Sequence, residues 1–289
     1  MADLSELSRS IASLTARVAP SVVGILGARS WSSGFVWRDG LVVTADEALD
    51  AEGEVTVILP DGARLSATVA GRDPSTDVAL LRVEGPLPPP VPLNDQVPAL
   101  GELALAVGHG GEGPVAALGI VGSVGPAWRS LRGGRIDARI GLDLRLPRAA
   151  EGGLAITAEG HPIGMVVLGP RRSTLVIPAT TIARVASRLA QHGRIGRGYL
   201  GLGLQPVRLE GSDEQGVIVV SVDADGPGRH AGVLQGDVIA RWNGEVLRGM
   251  RSVMARLGPD SVGQTVDLGL LRGGQPLNLA FTIGEHPSS

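Results

Sequence analysis

The side chains able to do chemistry in this sequence are few, and several reaction classes fall away at once. With no Cys among the residues, there is no thiol nucleophile, no disulfide, no Cys-ligated zinc and no iron–sulfur cluster. Five imidazoles remain, at His109, His161, His192, His230 and His286. His161 stands beside a hairpin signal, and His192, His230 and His286 belong to a linker or to the C-terminal segment. Surface roles are the ordinary reading for these four. The 26 basic residues are all Arg and are outnumbered by 29 carboxylates, for a formal charge of −3. Without a basic excess or an Arg run there is no electrostatic footprint for nucleic acid or for an anionic membrane surface. Four Trp, one Tyr and two Phe are also too few to suggest base stacking.

The elements that must position any site are legible from spacing. Leu4, Leu7, Ile11, Leu14 and Val18 fall on one stripe of an amphipathic helix that should stop near Pro20. Packing on its own domain is the simpler use of that stripe, and contact with a second copy is the other. From Val22 to about Leu168 the chain becomes short Val/Ile/Leu-rich runs such as VVGIL, SGFVW, LVVTA and LALAVG, broken by Gly, Pro or Asp. That spacing predicts an antiparallel barrel or sandwich. Pro60 to Gly62 and Ala158 to Gly160 have hairpin-turn composition, and Pro86 to Pro92 is a stiff connector. Ala179 to His192 carries Ile182, Val185, Ala186 and Leu189 at helical spacing and ends at Gly193.

The 289 residues suit about two domains of ~150 residues each. With 43 Gly, 20 Pro and 43% hydrophobic residues, a turn-rich β protein is favoured over disorder. The expected boundaries are a helix at 1–20, a barrel domain at 21–192, a linker at 193–198 and a second β-rich module at 199–285. In that module Met250, Val253, Met254 and Leu257 have helical spacing, ended by Gly258 and Pro259. No stretch approaches the ~18 apolar residues of a membrane span. The N-terminal residues hold Asp3 and Glu6 rather than a leader's apolar run. The compartment expected from the chain as written is the cytoplasm, or the periplasm if a leader was removed.

Collinear stretches of the sequence resemble the HtrA/Deg-type serine proteases. They are SSGFVW (Ser32 to Trp37), GRDPSTDVALLRV (Gly71 to Val83), LALAVGHGGEGPVAALGIVGSV (Leu103 to Val124), IPATTIARVASRLAQHGRIGRGYLGLGL (Ile177 to Leu204) and GVIVVSVDADGPGRHAGVLQGDVIARWNGEVL (Gly216 to Leu247). The resemblance implies a mostly β fold, a chymotrypsin-like double β-barrel followed by a PDZ domain. It also implies where a catalytic triad would stand. At the family's base position, in VVTADEAL, this chain has Glu47; the triad Asp is kept as Asp77; and the nucleophile loop reads PRAAEGGLA, with Glu151 at the Ser position and Ala149 at that of an oxyanion-loop Gly.

That replacement removes the chemistry. Serine proteolysis needs a hydroxyl nucleophile and an imidazole of pKa near ~6.5 to take its proton and return it. A Glu of pKa ~4.3 is a poor base, and position 151 has no hydroxyl to activate. No intact catalytic residue is therefore expected. The former oxyanion loop Ala149, Ala150, Gly152 persists as a turn together with Gly153, and the Glu151 carboxylate is expected to face the old amide donors. If Glu47, Asp77 and Glu151 converge, one acid is protonated or a cation sits between them. A hard cation wants about six oxygens, so neither metal nor cofactor is expected. His109 is the one imidazole that the implied fold brings toward the nucleophile side, on a loop.

The PDZ segment keeps its working parts. The resemblance assigns Tyr199, Leu200, Gly201 and Leu202 to the loop whose amides take a peptide's terminal carboxylate, with Val253 and Met254 on the helix dividing between groove and core. The function implied is an HtrA-like pseudoprotease, a scaffold, chaperone or regulator that binds protein or peptide C-termini. The competing readings are a hydrolase with a rewired carboxylate or metal-dependent site, and an inactive subunit paired with an active paralogue. The aromatic N-terminal contacts that hold family trimers have no counterpart before Trp31, which leaves a homo-oligomer as an open expectation.

Overall fold

The computed structural model describes residues 4–28, 30–50, 54–209 and 215–285, with the side chain of Arg171 excepted. His286 and Asp3 lie outside the described residues. The chain divides into two compact units, residues 1–128 with 135–195, and residues 129–134 with 196–289.

The first unit opens with α1 (Leu4–Val18). Val18 is buried, and Ile11 and Leu14 pack against the core, whereas Leu4 and Leu7 are exposed. The strands that follow are β1 (Val22–Leu26), β2 (Trp31–Arg38), β3 (Leu41–Thr44), β4 (Val55–Ile58), β5 (Arg64–Asp73) and β6 (Val78–Val83). They close a barrel in the order β1-β2-β3-β6-β5-β4. A second barrel comes from β7 (Leu103–Gly110), β8 (Gly113–Gly125), β9 (Arg139–Asp143), β10 (Leu154–Thr157), β11 (Pro162–Leu168) and β12 (Thr174–Pro178), closed as β9-β12-β11-β10-β7-β8. Both are antiparallel throughout, so neither leaves an open edge.

Period-two alternation sends each strand's side chains to two different cores. Val23, Ile25, Val36, Val42 and Val57 fill the first barrel, and Ala106, Val121, Ile140, Ala155 and Val176 fill the second. The other faces, among them Val22, Phe35, Val43, Leu80, Val107, Leu154 and Met165, join Ile182, Val185 and Leu189 in a third cluster. Those last three come from α2 (Ala179–His192), which ends where Gly193 takes a left-handed φ of 71° and returns its N–H to Leu189 O.

The second unit is an antiparallel sheet of β13 (Leu202–Arg208), β14 (Gln215–Val222), β15 (Val238–Trp242), β16 (Thr265–Arg272) and β17 (Gln275–Thr282), in that spatial order. Its core holds Leu200, Val217, Val219, Ile239, Trp242, Val253, Leu268 and Phe281. The helix α3 covers only Met250–Met254, shorter than the apolar spacing to Leu257 suggests. Arg256 and Leu257 instead bond back three residues, to Val253 O and Met254 O, a tightening that leads into Gly258 and Pro259.

Candidate functional site

The turn between β5 and β6 is built by its own polar residues. The Asp73 carboxylate accepts from Ser75 N at 3.0 Å, Ser75 Oγ at 2.5 Å and Thr76 Oγ1 at 2.6 Å, which folds DPST into a tight cap. The cap delivers Asp77 in a left-handed conformation, φ 58°, which Asp, like Asn, adopts more readily than other non-Gly residues. Opposite, the segment after β3 is pinned by Asp46, buried and paired with Arg72 Nε at 2.5 Å. Arg72 also donates to Asp46 O and Asp50 O. With both segments fixed, Glu47 N donates to Asp77 Oδ1 at 2.8 Å.

Glu151 arrives from the second barrel. A short 3₁₀ turn over Arg148–Ala150 precedes it. Gly152 follows at φ 85°, where an added Cβ would lie 2.2 Å from Ser33 O; only Gly fits such a position. Burial pushes Asp77 up to about 7, with Glu47, Glu151 and Asp46 adding repulsion and the Glu47 amide opposing it. Burial likewise raises Glu151, with repulsion from Glu47, while the Leu168 amide and Arg148 lower it. The structure thus brings Glu47, Asp77 and Glu151 into one electrostatic cluster that keeps a proton near neutrality.

The expectation that the Glu151 carboxylate faces the old amide donors is corrected. Its Oε1 accepts from Leu168 N at 3.2 Å, at the end of β11. The loop amides point elsewhere: Glu151 N donates to Arg148 O, Gly152 N to Val166 O and Gly153 N to Ala150 O. Ser33 Oγ donates to Ala149 O, and Ala150 is fully buried. No described group of three or more His, Cys, Asp or Glu is arranged to hold a metal ion.

His109 also differs from expectation. It lies within β7 rather than on a loop and is 2% exposed. Its ring nitrogens have no partner among the described residues, and burial holds its pKa below the usual imidazole value. Its backbone does the structural work, since its N–H donates to Ser33 Oγ and its carbonyl accepts from Trp31 Nε1. Ser33, which joins His109 to Ala149, was missed in the sequence because one Ser in an apolar strand carries no signal. His161, His192 and His230 are exposed.

In the second unit, Tyr199 to Leu202 form a loop held from outside. Leu200 O accepts from Gly228 N and Gly201 O from Asp223 N, and the Tyr199 hydroxyl bonds the Asp223 carboxylate, which raises the phenol's pKa. Gly201 sits at φ 66°, and a Cβ there would approach Gly226 Cα to 2.8 Å. With the carbonyls fixed, the amides of Leu200 and Gly201 donate to no group among the described residues. Two adjacent unused amides are an anion cradle. On the helix, Val253 is fully buried and Met254 is 38% exposed.

Residues 32–165 match the trypsin-like peptidase domain and residues 198–283 the PDZ domain. The chain has both domains, and its homologues are HtrA-type proteases. It is 30% identical over 288 residues to a probable periplasmic serine endoprotease DegP-like protein of Rhizobium meliloti, covering 94% of this chain and 56% of that one. With the Halomonas elongata protein of the same description it shares 30% over 276 residues, 90% of this chain and 58% of the relative. The chain therefore spans a little over half the length of the curated relatives it matches. Among solved structures, the serine endoprotease from Yersinia pestis aligns at a TM-score of 0.72 and 26% identity, over 96% of this chain and 98% of the other. The HtrA-type protease AlgW with a tripeptide aligns at 0.68 and 25%, over 96% and 98%. Among the described residues, no helix is long and apolar enough to cross a membrane.

Proposed function

We propose that this HtrA-type protein is a pseudoprotease that binds the free C-termini of proteins or peptides through its PDZ domain and acts as a scaffold, chaperone or regulator. The observation that carries the reading is the state of position 151. A carboxylate tied to Leu168 N stands where the fold's nucleophile would be, and Glu151, Gly152 and Gly153 donate their amides to carbonyls of the chain. Serine-type acyl transfer needs a hydroxyl nucleophile, an imidazole base and donors aimed at a developing oxyanion, and positions 151 and 47 and the loop amides supply none of these. The unused amides of Leu200 and Gly201 suit a terminal carboxylate, and a peptide complex of the related AlgW supports a peptide ligand. The relatives' periplasmic names favour the periplasm over the cytoplasm.

One observation favours a second reading. Asp77, with a pKa of about 7 beside Glu47 and Glu151, could exchange a proton with a bound water, as a rewired carboxylate hydrolase requires. Pairing with an active paralogue, and self-assembly, are compatible with either reading.

The test uses the full chain. It should leave casein-like substrates intact and take no fluorophosphonate label, and it should bind apolar C-terminal peptides at about micromolar to tens of micromolar Kd. C-terminal amidation should abolish that binding. Proteolysis sensitive to serine-directed inhibitors would overturn the reading, and turnover lost in Glu151→Gln would favour the hydrolase.

A further inference from the structure

Among the described residues, β13 is the terminal strand of the second unit's sheet, paired only with β14. The phase of its hydrogen bonds follows from the next strand. In β14, Val219 N donates to Asp237 O and Val219 O accepts from Gly236 N, both at 2.8 Å, so this residue's polar groups face β15. Backbone groups alternate sides along a strand, so those of Ile218 and Gly216 face β13. Their partners Gln205 and Val207 then face inward. The register slips by one between Gly203 and Leu204; Gly203 faces Ser221 and Leu204 faces Val219, so the extra residue, Val220, lies in β14. Alternation along β13 is unbroken. Leu202, Leu204 and Pro206 therefore turn their backbone groups to the open edge.

Pro206 has no N–H to offer there. A peptide added antiparallel, with its carboxylate at the Leu200–Gly201 cradle, places its terminal residue opposite Leu202. Two residues back it meets Leu204, which both donates and accepts. Four residues back it meets Pro206, which only accepts. Gln205 and Pro206 are exposed, as an open edge requires.

We infer that Pro206 limits docking to the last four residues of a ligand, so that the protein recognises short free C-terminal tails and gains little from a longer extended segment. This rests on the docking reading above and adds a length rule to it. The ligand class is a polypeptide end freed over only a few residues, as in a folded protein with a short tail.

Titration calorimetry of the full chain with peptides of three, four, six and eight residues, sharing one apolar C-terminal sequence, tests this. Wild-type Kd should change less than about twofold from four to eight residues. Pro206→Ala restores the donor and should tighten the six- and eight-residue peptides by about 2–10-fold, the value of one backbone hydrogen bond, while leaving three and four unchanged. Pro206→Val should do the same and guards against a folding defect in one variant. Affinity that climbs steadily past four residues in the wild type, or variants with an unchanged length profile, overturns the length rule alone. Absence of binding at every length overturns the docking reading with it.

Discussion

At the scale of single residues the cleft is defined by a proton. Asp77 has a carboxylate that burial and three neighbouring acids hold at about 7, against ~3.9 in an unfolded chain. Because the folded pKa is raised, Asp77 destabilises the fold progressively as pH rises from about 4 through about 7. The change is complete only above that window. Asn tolerates the left-handed backbone at this position and can still accept from Glu47 N. Asp77→Asn is therefore expected to match the wild type near pH 4 and to exceed it by about 2–4 kcal/mol at pH 8. Thermal melts across that range check this; a gap that narrows as pH rises would contradict the assignment.

At the scale of elements, α1 shows how one stripe serves two ends differently. Ile11 and Leu14 pack on the core and Val18 is buried, while Leu4 is 81% and Leu7 41% exposed. Replacing Leu14 with Ser should cost about 1–3 kcal/mol by removing buried apolar surface. Leu4→Ser with Leu7→Ser should stay within about 0.5 kcal/mol. If those two leucines form a contact between copies, the double variant also lowers the mass seen by light scattering at unchanged stability. An equal mass before and after assigns the stripe to intramolecular packing alone. β13 carries the opposite lesson, since the docking proposed for it uses the edge it leaves unpaired.

At the scale of the whole molecule, the barrels do not depend on the side chains at positions 47 and 151. Core clusters inside each barrel and between them account for the fold, and none uses the side chain of Glu47 or Glu151. Restoring Glu47→His with Glu151→Ser should therefore leave the protein folded. The loop amides would still donate to Arg148 O, Val166 O and Ala150 O, and one lost oxyanion donor costs about 10²–10³ in rate. The double variant is expected to cleave casein at least about 100-fold more slowly than a proteolytic relative, with Ala149→Gly raising that rate. Full proteolytic activity in the double variant would show that the loop realigns freely.

The sequence by itself determined antiparallel strands of a barrel or sandwich, the helix over Ala179–His192 and the carboxylates at positions 47, 77 and 151. These follow from local alternation, Gly and Pro punctuation and residue identity, which need no long-range geometry. Likeness to a family chose the double barrel and marked YLGL as the loop proposed for docking. Only the tertiary structure decided that Glu151 turns to Leu168 N instead of the loop amides, that His109 lies sealed in β7, and that Pro206 faces the open edge of β13. The reason is physical: where a side chain or an N–H points depends on strand phase, on bulges and on partners far along the chain, as Ser33 and Ala149 are. A one-residue slip of register exchanges inside for outside, and no local pattern records that slip.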